Sequence, residues 1–162
     1  LIMSFSSEII TSLPSQEEIR DFLTNLEKTN DMLQRLVSKD PDYTRDNIFH
    51  IKTIISNTEK IGREYYHLLN YAIDNKFVFS KDLIEFMKDV NSYLKEYFSH
   101  FFKFDITRVN HMAARKNELI YKKGYDLMKK CKSDETVIMH HLLDIARRTW
   151  DMESPLIRRR RL

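Results

Sequence analysis

The sequence predicts an all-α protein, built as an antiparallel bundle of about five long helices. Only two glycines and three prolines occur among its 162 residues, too few for the turns of an all-β fold. Charged residues make up 31% and aromatic residues 12% of the chain, which suits helices with solvated outer faces around an apolar core. Apolar residues recur three, four and seven positions apart, as amphipathic helices require.

Three parts are expected along the chain. Residues 1–14 are interpreted as a linker or the remnant of an upstream helix or domain, 15–157 as the bundle and 158–162 as a basic tail. Because the chain begins with Leu1, we expect an upstream segment that carries part of the function. No apolar run reaches the roughly 18–20 residues that a membrane span needs. Together with the single cysteine, Cys131, this favours a cytoplasmic protein without membrane insertion.

Capping residues predict the first two helices. Ser15 starts the first helix and Glu18 completes a capping box. Its inner stripe is expected to consist of Ile19, Leu23, Leu26, Leu33, Leu36 and Val37. Asp40 caps the second helix, with Pro41 at its first position, and this helix runs to about residue 75. Gly62 lies inside it and is interpreted as a point of close helix packing, the alternative being a bend or ligand site.

Three further helices complete the bundle. Ser80 caps a third helix that runs to about Phe104. Asp105 opens a fourth helix, and Ser133 caps a fifth, which Pro155 kinks or ends. Because the connections are short, helices that follow one another should run antiparallel.

Two of these helices share an apolar skeleton, which raises the question of an internal repeat. Ile51 aligns with Leu142, and Ile61 aligns with Met152 at the same offset. Any two amphipathic helices can be aligned in this way. Common ancestry and a shared helical period therefore both remain open.

Catalytic and metal-binding signatures are missing from the sequence. It contains no glycine-rich phosphate loop, HExxH or GxSxG motif, so no catalytic residue, metal or cofactor is predicted. His140 and His141 are adjacent and point about 100° apart on a helix, so they do not form a two-ligand face. His100 and His111 are expected to approach each other across a turn, without a third ligand. Lysines flank Cys131 and would favour its thiolate form, although an incidental thiol is the simpler interpretation.

Arginines form the strongest charge signal. The basic patch consists of Arg147, Arg148, Arg158, Arg159, Arg160 and Arg161. Cations near a helix C-terminus complement the helix dipole, which needs no ligand. The alternatives are a phosphate-rich ligand, nucleic acid or an acidic membrane surface.

Aromatic residues crowd the third helix. Consecutive residues around Phe102 cannot all face one core stripe, so some aromatic surface should remain after folding. We therefore expect Tyr97, Phe101 and Phe102 to form a face that joins two copies of the chain or binds another protein. The alternative is ordinary core packing, with tyrosine hydroxyls reaching water at its rim.

Four segments together resemble one protein family. They are Thr58–Arg63 within the second helix, Val78–Leu83 at the start of the third, Phe104–Asp105 at the turn before the fourth, and Leu142–Arg148 in the fifth. They are similar to the corresponding segments of the PhoU family of phosphate-signalling regulators, which are built from two repeated three-helix bundles. The resemblance covers roughly residues 15–157 and implies a PhoU-like double-bundle arrangement.

The metal-binding positions of that family are altered in this sequence. The family pattern places an acidic residue, three others and then Asp in each repeat. Glu59 is kept, but Arg63, Trp150 and Ser154 occupy the other three places. The resemblance therefore implies a metal-free relative, in which Glu59 and Arg63 form an ion pair one helical turn apart.

The resemblance also implies a function. It indicates a non-enzymatic, cytoplasmic regulatory module that controls phosphate uptake or signalling through contacts with a sensor kinase or a phosphate-transporter component. Relatives of archaeal type can carry an N-terminal DNA-binding domain. The alternative is therefore a nucleic-acid-associated transcriptional regulator that uses the C-terminal arginines.

Overall fold

The structure, a computed structural model, describes residues 15–39 and 45–161, without the side chains of residues 16, 19, 45, 46 and 159–161. Every regular element in these ranges is a helix and none is a strand, which confirms the all-α class. The expected linker over 1–14 and the expected cap at Asp40 and Pro41 lie outside the described residues.

Helices follow one another with short connections. In chain order they are α1 (Gln16–Lys39), α2 (Arg45–Asp74), α3 (Lys81–Phe102), α4 (Thr107–Lys116), the π-helix π1 (Asn117–Gly124), α5 (Tyr125–Met128), α6 (Ser133–Asp151) and α7 (Glu153–Arg161). α4, π1 and α5 form one uninterrupted rod, which corresponds to the predicted fourth helix. The π-helix within it was not predicted, and such segments are rare.

Two of the predicted N-terminal caps are present. The Ser15 hydroxyl accepts from the Glu18 N–H at 3.2 Å, and the Glu18 carboxylate accepts from the Ser15 N–H at 2.7 Å. These two bonds complete the capping box. The Ser80 hydroxyl accepts from the Leu83 N–H at 3.4 Å and caps α3.

Two other helix starts differ from the prediction in detail. Ser133 is the first residue of α6 rather than its cap, so that prediction was wrong. The N–H of Lys132 instead donates to the Glu135 carboxylate at 3.0 Å. Asp105 lies just before α4, where its carboxylate accepts from the Thr107 N–H at 2.9 Å and from its hydroxyl at 2.8 Å.

The C-terminus of α2 closes with a left-handed residue. Lys76 has a φ of 48°, a conformation that glycine adopts more easily than lysine. The Phe77 N–H donates to the Ala72 carbonyl at 2.8 Å, and the Lys76 N–H donates to the Ile73 carbonyl at 3.1 Å. This pair of bonds forms a Schellman motif, which satisfies carbonyls at the helix end.

α1 and α2 run antiparallel, and so do α3 and the rod of α4 and π1, as the short connections predicted. α2 and α6, which do not follow one another in the chain, are antiparallel as well. Side-chain pairs that show this are Glu27–Arg63 and Asn30–Glu59 between α1 and α2, Asp89–Lys123 and Glu96–Arg115 between α3 and the rod of α4 and π1, and Tyr71–Asp134 and Glu64–His141 between α2 and α6. α6 packs against α2, α3, α4 and π1, while α1 packs on α2. The core therefore lies around α6.

Side chains of α3 fill much of this core. The rings of Tyr93 and Tyr97 are fully buried, and the Tyr97 hydroxyl donates to the Met152 carbonyl at 3.3 Å. The expectation that Tyr97 belongs to an exposed aromatic face was therefore wrong, because its hydroxyl finds a partner inside the bundle. Phe101 is half-buried and Phe102 is 75% exposed.

Three further expectations are corrected, one in α1 and two near the C-terminus. Leu33 and Leu36 of α1 were placed on its inner stripe, but they are 39% and 58% exposed. The predicted interruption near Pro155 occurs at Met152, between α6 and α7. Pro155 lies in the first turn of α7, where its missing N–H removes no helical hydrogen bond. Residues 158–161, expected as a separate tail, continue α7.

Candidate functional site

The predicted ion pair on α2 is present and extends to α1. The carboxylate oxygen Oε1 of Glu59 accepts from Nε and Nη2 of Arg63 at 3.0 and 2.9 Å. The same Nη2 lies 2.8 Å from Oε1 of Glu27 on α1. The hydrogen bonds that Arg63 donates to Glu59, followed by the charge of Glu27, raise the pKa of the Arg63 guanidinium. Arg63 therefore joins two carboxylates of neighbouring helices.

The second oxygen of Glu59 binds a buried amide. Oε2 accepts a hydrogen bond from Nδ2 of Asn30, a residue of α1 that is only 7% exposed. The other amide atom, Oδ1, is buried and has no hydrogen-bond partner. Leaving a buried polar atom without a partner destabilises a protein by about 1–3 kcal/mol. Asn30 is therefore a buried polar residue of the α1–α2 interface whose hydrogen-bonding capacity is only partly satisfied.

A cavity of about 210 Å³ lies beside Asn30, between α1, α2 and α3. Its lining residues are Leu26, Thr29, Asn30, Leu33, Ile54, Ile55, Thr58, Glu59, Phe98 and Phe101. Most of them are apolar. Phe101 forms part of this wall, and its predicted role in a dimer face stays a prediction.

Gly62 permits the close contact of α1 and α2 next to the cavity. A Cβ atom at this position would lie 2.0 Å from Cδ2 of Leu26, well inside van der Waals contact. Close helix packing, the interpretation favoured from the sequence, is therefore confirmed. Leu26 also belongs to the cavity wall, so the glycine helps to shape the cavity.

The other two altered family positions lie near the junction of α6 and α7. The ring of Trp150 is half-buried, and Nζ of Lys116 lies 4.8 Å from its centroid, at cation–π distance. Ser154 is exposed in the first turn of α7. In the part of the chain that the structure describes, no three His, Cys, Asp or Glu side chains are arranged to hold a metal ion.

A buried histidine–carboxylate pair joins α3 to α7. Nδ1 of His100 lies 3.3 Å from Oε1 of Glu153, and both side chains are at most 1% exposed. Nε2 of His100 lies 3.0 Å from the Asp105 carbonyl, which can only accept, so Nε2 carries a proton. Burial raises the pKa of Glu153 despite the opposing effect of His100.

The contact of His100 with Glu153 was not predicted from the sequence. The sequence predicted an approach of His100 to His111, which is not the main interaction of either histidine. Nε2 of His111 instead lies 2.8 Å from the Glu96 carboxylate. Glu153 follows His100 by more than fifty residues, and no local spacing indicates that they meet. The one sequence feature that pointed to a contact of His100 at this place was its predicted position beside the turn before α4.

The basic patch is partly neutralised in the folded chain. Arg148 donates through Nε to the Asp144 carboxylate at 2.9 Å, and its Nη2 lies 3.7 Å from Glu64. Glu64 also binds Nδ1 of His141 at 2.8 Å. Arg147 is half-buried and Arg158 is exposed, while the side chains of residues 159–161 lie outside the description. The three arginines of the patch whose side chains are described therefore differ in exposure and in partners.

The environment of Cys131 reverses the expected effect on its thiol. Burial, followed by the charge of Glu135, raises the pKa of Cys131. The flanking lysines, Lys130 and Lys132, are exposed to solvent. The expectation of a thiolate favoured by these cations was therefore wrong.

The outer face of α1 exposes apolar side chains next to cations. Met32 and Leu36, one turn apart, are 54% and 58% exposed. Lys28, Arg35 and Lys39 surround them, with Asp31 as the acidic neighbour. We call this set of six residues the α1 outer face.

Comparison of the chain with models of protein families, with curated proteins and with solved structures found no match. None of the described helices is long and apolar enough to cross a membrane. The functional interpretation therefore depends on the geometry of the chain and on the residues that it places together.

Proposed function

We propose that the chain is a non-enzymatic, cytoplasmic regulatory module that acts by binding another protein through the α1 outer face. The single observation that carries this proposal is the exposure of Met32 and Leu36 on a helix whose opposite side packs on α2. Exposed apolar side chains rimmed by charged residues are typical of interaction sites.

Charge indicates the chemistry of the partner. Lys28, Arg35 and Lys39 outnumber Asp31 on this face, so the face is cationic around its apolar centre. A second copy of the chain would bring like charges together, which is unfavourable. The proposed partner is therefore an amphipathic helix with apolar residues on one side and acidic residues beside them.

The resemblance to PhoU-like regulators supports the biological role. Within this proposal, the chain has a PhoU-like double-bundle arrangement and regulates phosphate uptake or signalling. Its partner is a sensor kinase or a phosphate-transporter component. The ion network of Glu27, Glu59 and Arg63 supports a structural rather than metal-binding use of the family position, because the cation already neutralises its carboxylates.

A designed peptide tests the contact surface. The probe is a stapled helical peptide with leucine on one face and glutamate on the others, and a lysine version of the same peptide is its control. We expect the glutamate peptide to bind, with amide shifts on α1 in nuclear magnetic resonance spectra. Leu36→Glu should weaken this binding at least about tenfold, which corresponds to 1.4 kcal/mol.

Phe102→Glu is the matched control, because Phe102 is also exposed but lies on α3. It should leave the affinity for the glutamate peptide unchanged. Equal binding of the lysine peptide, or full binding by Leu36→Glu, would overturn the proposed surface. Purified phosphate-transporter or sensor-kinase components then test the family-specific part, with loss of binding in Leu36→Glu as the expected result.

A further inference from the structure

We propose that a line of aromatic rings and lysines along the rod of α4, π1 and α5 binds single-stranded nucleic acid. Nζ of Lys116 lies 4.8 Å from the centroid of the Trp150 ring and 5.5 Å from that of the Tyr121 ring. The centroid of the Tyr121 ring lies 5.6 Å from that of Tyr125, and the two rings meet edge to face. We call these four residues the rod cluster. It shares no residue with the α1 outer face or with the terminal arginines.

The rings of the rod cluster are open to a ligand. Tyr121 and Tyr125 are 51% and 39% exposed, and Trp150 is half-buried. The four side chains form one continuous chain of contacts, so the exposed rings are not scattered singly over the surface. Bases of a single strand stack on such aromatic platforms, and they do so without regard to sequence because every base has a flat face.

The π-helix brings the lysine and the tyrosines of this cluster together. On an α-helix, residues five positions apart point about 140° away from each other. The hydrogen bonds of a π-helix join residues five apart, as the bond from the Tyr125 N–H to the Ile120 carbonyl shows. Lys116 and Tyr121 are therefore about one turn apart on the same side of the rod. Segments of this kind occur frequently at functional sites.

Charge along the rod complements a phosphate backbone. Among the described residues no carboxylate forms an ion pair with Lys116, so its ammonium can meet a phosphate. Lys129 follows Tyr125 by one turn, where its N–H donates to the Tyr125 carbonyl at 3.2 Å. Its ammonium pairs with Asp126 at 3.2 Å, an exposed contact of the kind that stabilises little. Residues 116–130 contain five lysines and two carboxylates, which favours an anionic partner.

Single-stranded nucleic acid is the class of partner that uses both parts of the rod cluster. An acidic peptide would meet the Lys116 ammonium but would leave the tyrosine faces in water. A neutral carbohydrate would cover the rings without a charge for the ammonium. In a duplex the bases already stack on one another, so they are not free to stack on the two tyrosines.

Two strands with the same phosphates separate stacking from charge. The probes are a labelled 12-residue oligothymidylate and an abasic strand of equal length, and fluorescence anisotropy of each with the full chain measures Kd. At low salt we expect a Kd of roughly 1–100 µM for the oligothymidylate, in the usual range of binding without sequence preference. The abasic strand should bind at least about tenfold more weakly. Equal affinities would overturn the stacking role of the rings.

The emission of Trp150 gives the location of binding, because it is the only tryptophan of the chain. Addition of unlabelled oligothymidylate should quench this emission saturably, with the Kd that anisotropy gives. Binding that leaves the emission unchanged would place the strand elsewhere.

Tyr121→Ala should weaken oligothymidylate binding at least about tenfold and leave the abasic strand unaffected. Its matched control is Phe49→Ala, which removes a 66% exposed ring from α2 and should not change either affinity. Circular dichroism checks that both variants keep their helix content. Full oligothymidylate binding by Tyr121→Ala, or an equal loss in Phe49→Ala, would overturn the proposed surface.

Lys116→Gln tests the cation. Each phosphate that a single strand loses as a contact lowers the slope of log Kd against log salt concentration by about 0.7, so this variant should show that decrease together with weaker binding. Lys95→Gln is the matched control, since Lys95 is an exposed lysine of α3, and it should keep the slope of the unsubstituted protein. An unchanged slope in Lys116→Gln would show that this ammonium only packs on the rings and does not contact the strand.

Discussion

The imidazole of His100 and the carboxylate of Glu153 lie 3.3 Å apart in the interior of the bundle, and neither side chain reaches solvent. The contact holds the first turn of α7 against the C-terminal part of α3. The second oxygen of Glu153 has no hydrogen-bond partner, so ionisation of this carboxylate is only partly compensated. The pair therefore makes the stability of the fold depend on pH.

A pH dependence of stability follows from the raised pKa of Glu153. Below the ordinary value of 4.5 the carboxyl is protonated in both states. As the pH rises through that value, the unfolded chain ionises first, so the free energy of unfolding falls until the raised pKa of the folded state is passed. Each unit of difference amounts to about 1.4 kcal/mol.

Glu153→Gln should remove this decline. Urea unfolding at a series of pH values between about 4 and 8 measures the free energy of unfolding of the variant and of the unsubstituted protein, and the difference between the two curves gives the contribution of Glu153. Glu118→Gln is the control, since Glu118 is an exposed carboxylate on the helix surface, and its curve should follow that of the unsubstituted protein. A Glu153→Gln curve with the same decline would contradict the prediction.

The two glycines should respond differently to substitution by alanine. At Gly62 a new Cβ meets the end of the Leu26 side chain, which can turn into the adjacent cavity. At Gly124 it meets Cδ2 of Leu143 at 2.6 Å and the Leu119 carbonyl at 3.0 Å, and backbone cannot give way. We expect Gly62→Ala to change the unfolding free energy by less than about 1 kcal/mol, whereas Gly124→Ala should reduce it by about 1–3 kcal/mol. Equal losses in thermal unfolding would contradict this reasoning.

Tyr97 and Phe102 were predicted to share a surface, but their substitutions should act on different properties. Tyr97→Phe removes one of two hydrogen bonds to the Met152 carbonyl, which also accepts from the Leu156 N–H at 3.2 Å, and should reduce stability by up to about 1 kcal/mol. Phe102→Glu should leave the helix content unchanged, because that ring is 75% exposed.

A homodimer that includes Phe102 stays a prediction, and sedimentation equilibrium tests it. If two copies associate through this residue, Phe102→Glu should restore a mass of 19.6 kDa. A dimer that persists in this variant would place the contact elsewhere.

Lys76 is a position at which the chain should gain stability. Its φ of 48° strains a residue with a Cβ atom. Lys76→Gly should therefore raise the free energy of unfolding by up to about 1 kcal/mol, and Lys76→Val should lower it. Thermal unfolding of the two variants side by side provides the measurement, and an order of stability with valine above glycine would refute it.

Nucleic-acid binding, the alternative function, has a distinct signature. Because Asp144 and Glu64 engage Arg148, we expect only weak DNA binding without sequence preference. Glutamine substitution of residues 158–161 should then change the salt dependence little. Tight binding at physiological salt, with a steep slope that this substitution flattens, would instead favour the transcriptional regulator.

The sequence predicted the rods of the bundle because periodicity and capping act locally. Ser15 and Ser80 cap the helices as expected, and Glu59 meets Arg63 because one helical turn separates them. Gly62 also has the packing role that its place inside a helix suggested.

Features that depend on three-dimensional neighbours could not be predicted in this way. His100 meets Glu153 only because α7 folds back on the end of α3, and Asn30 becomes buried only where α1 packs on Glu59. Leu36 has the spacing of a core residue but is 58% exposed. Apolar periodicity marks the faces of a helix and does not decide how much of each face is covered.

Because of the π-helix over Asn117–Gly124, the rod of α4, π1 and α5 contains more residues than an α-helix of the same number of turns. The hydrogen bonds of the π-helix span one residue more per turn than those of an α-helix, so the stretch accommodates an extra residue without rotating the faces of α4 and α5 out of register. Deletion of the exposed Lys122 would let the segment rewind as an α-helix while Met112 and Leu127 keep their inward positions. In evolutionary terms, the rod has the form of a helix that absorbed a single-residue insertion.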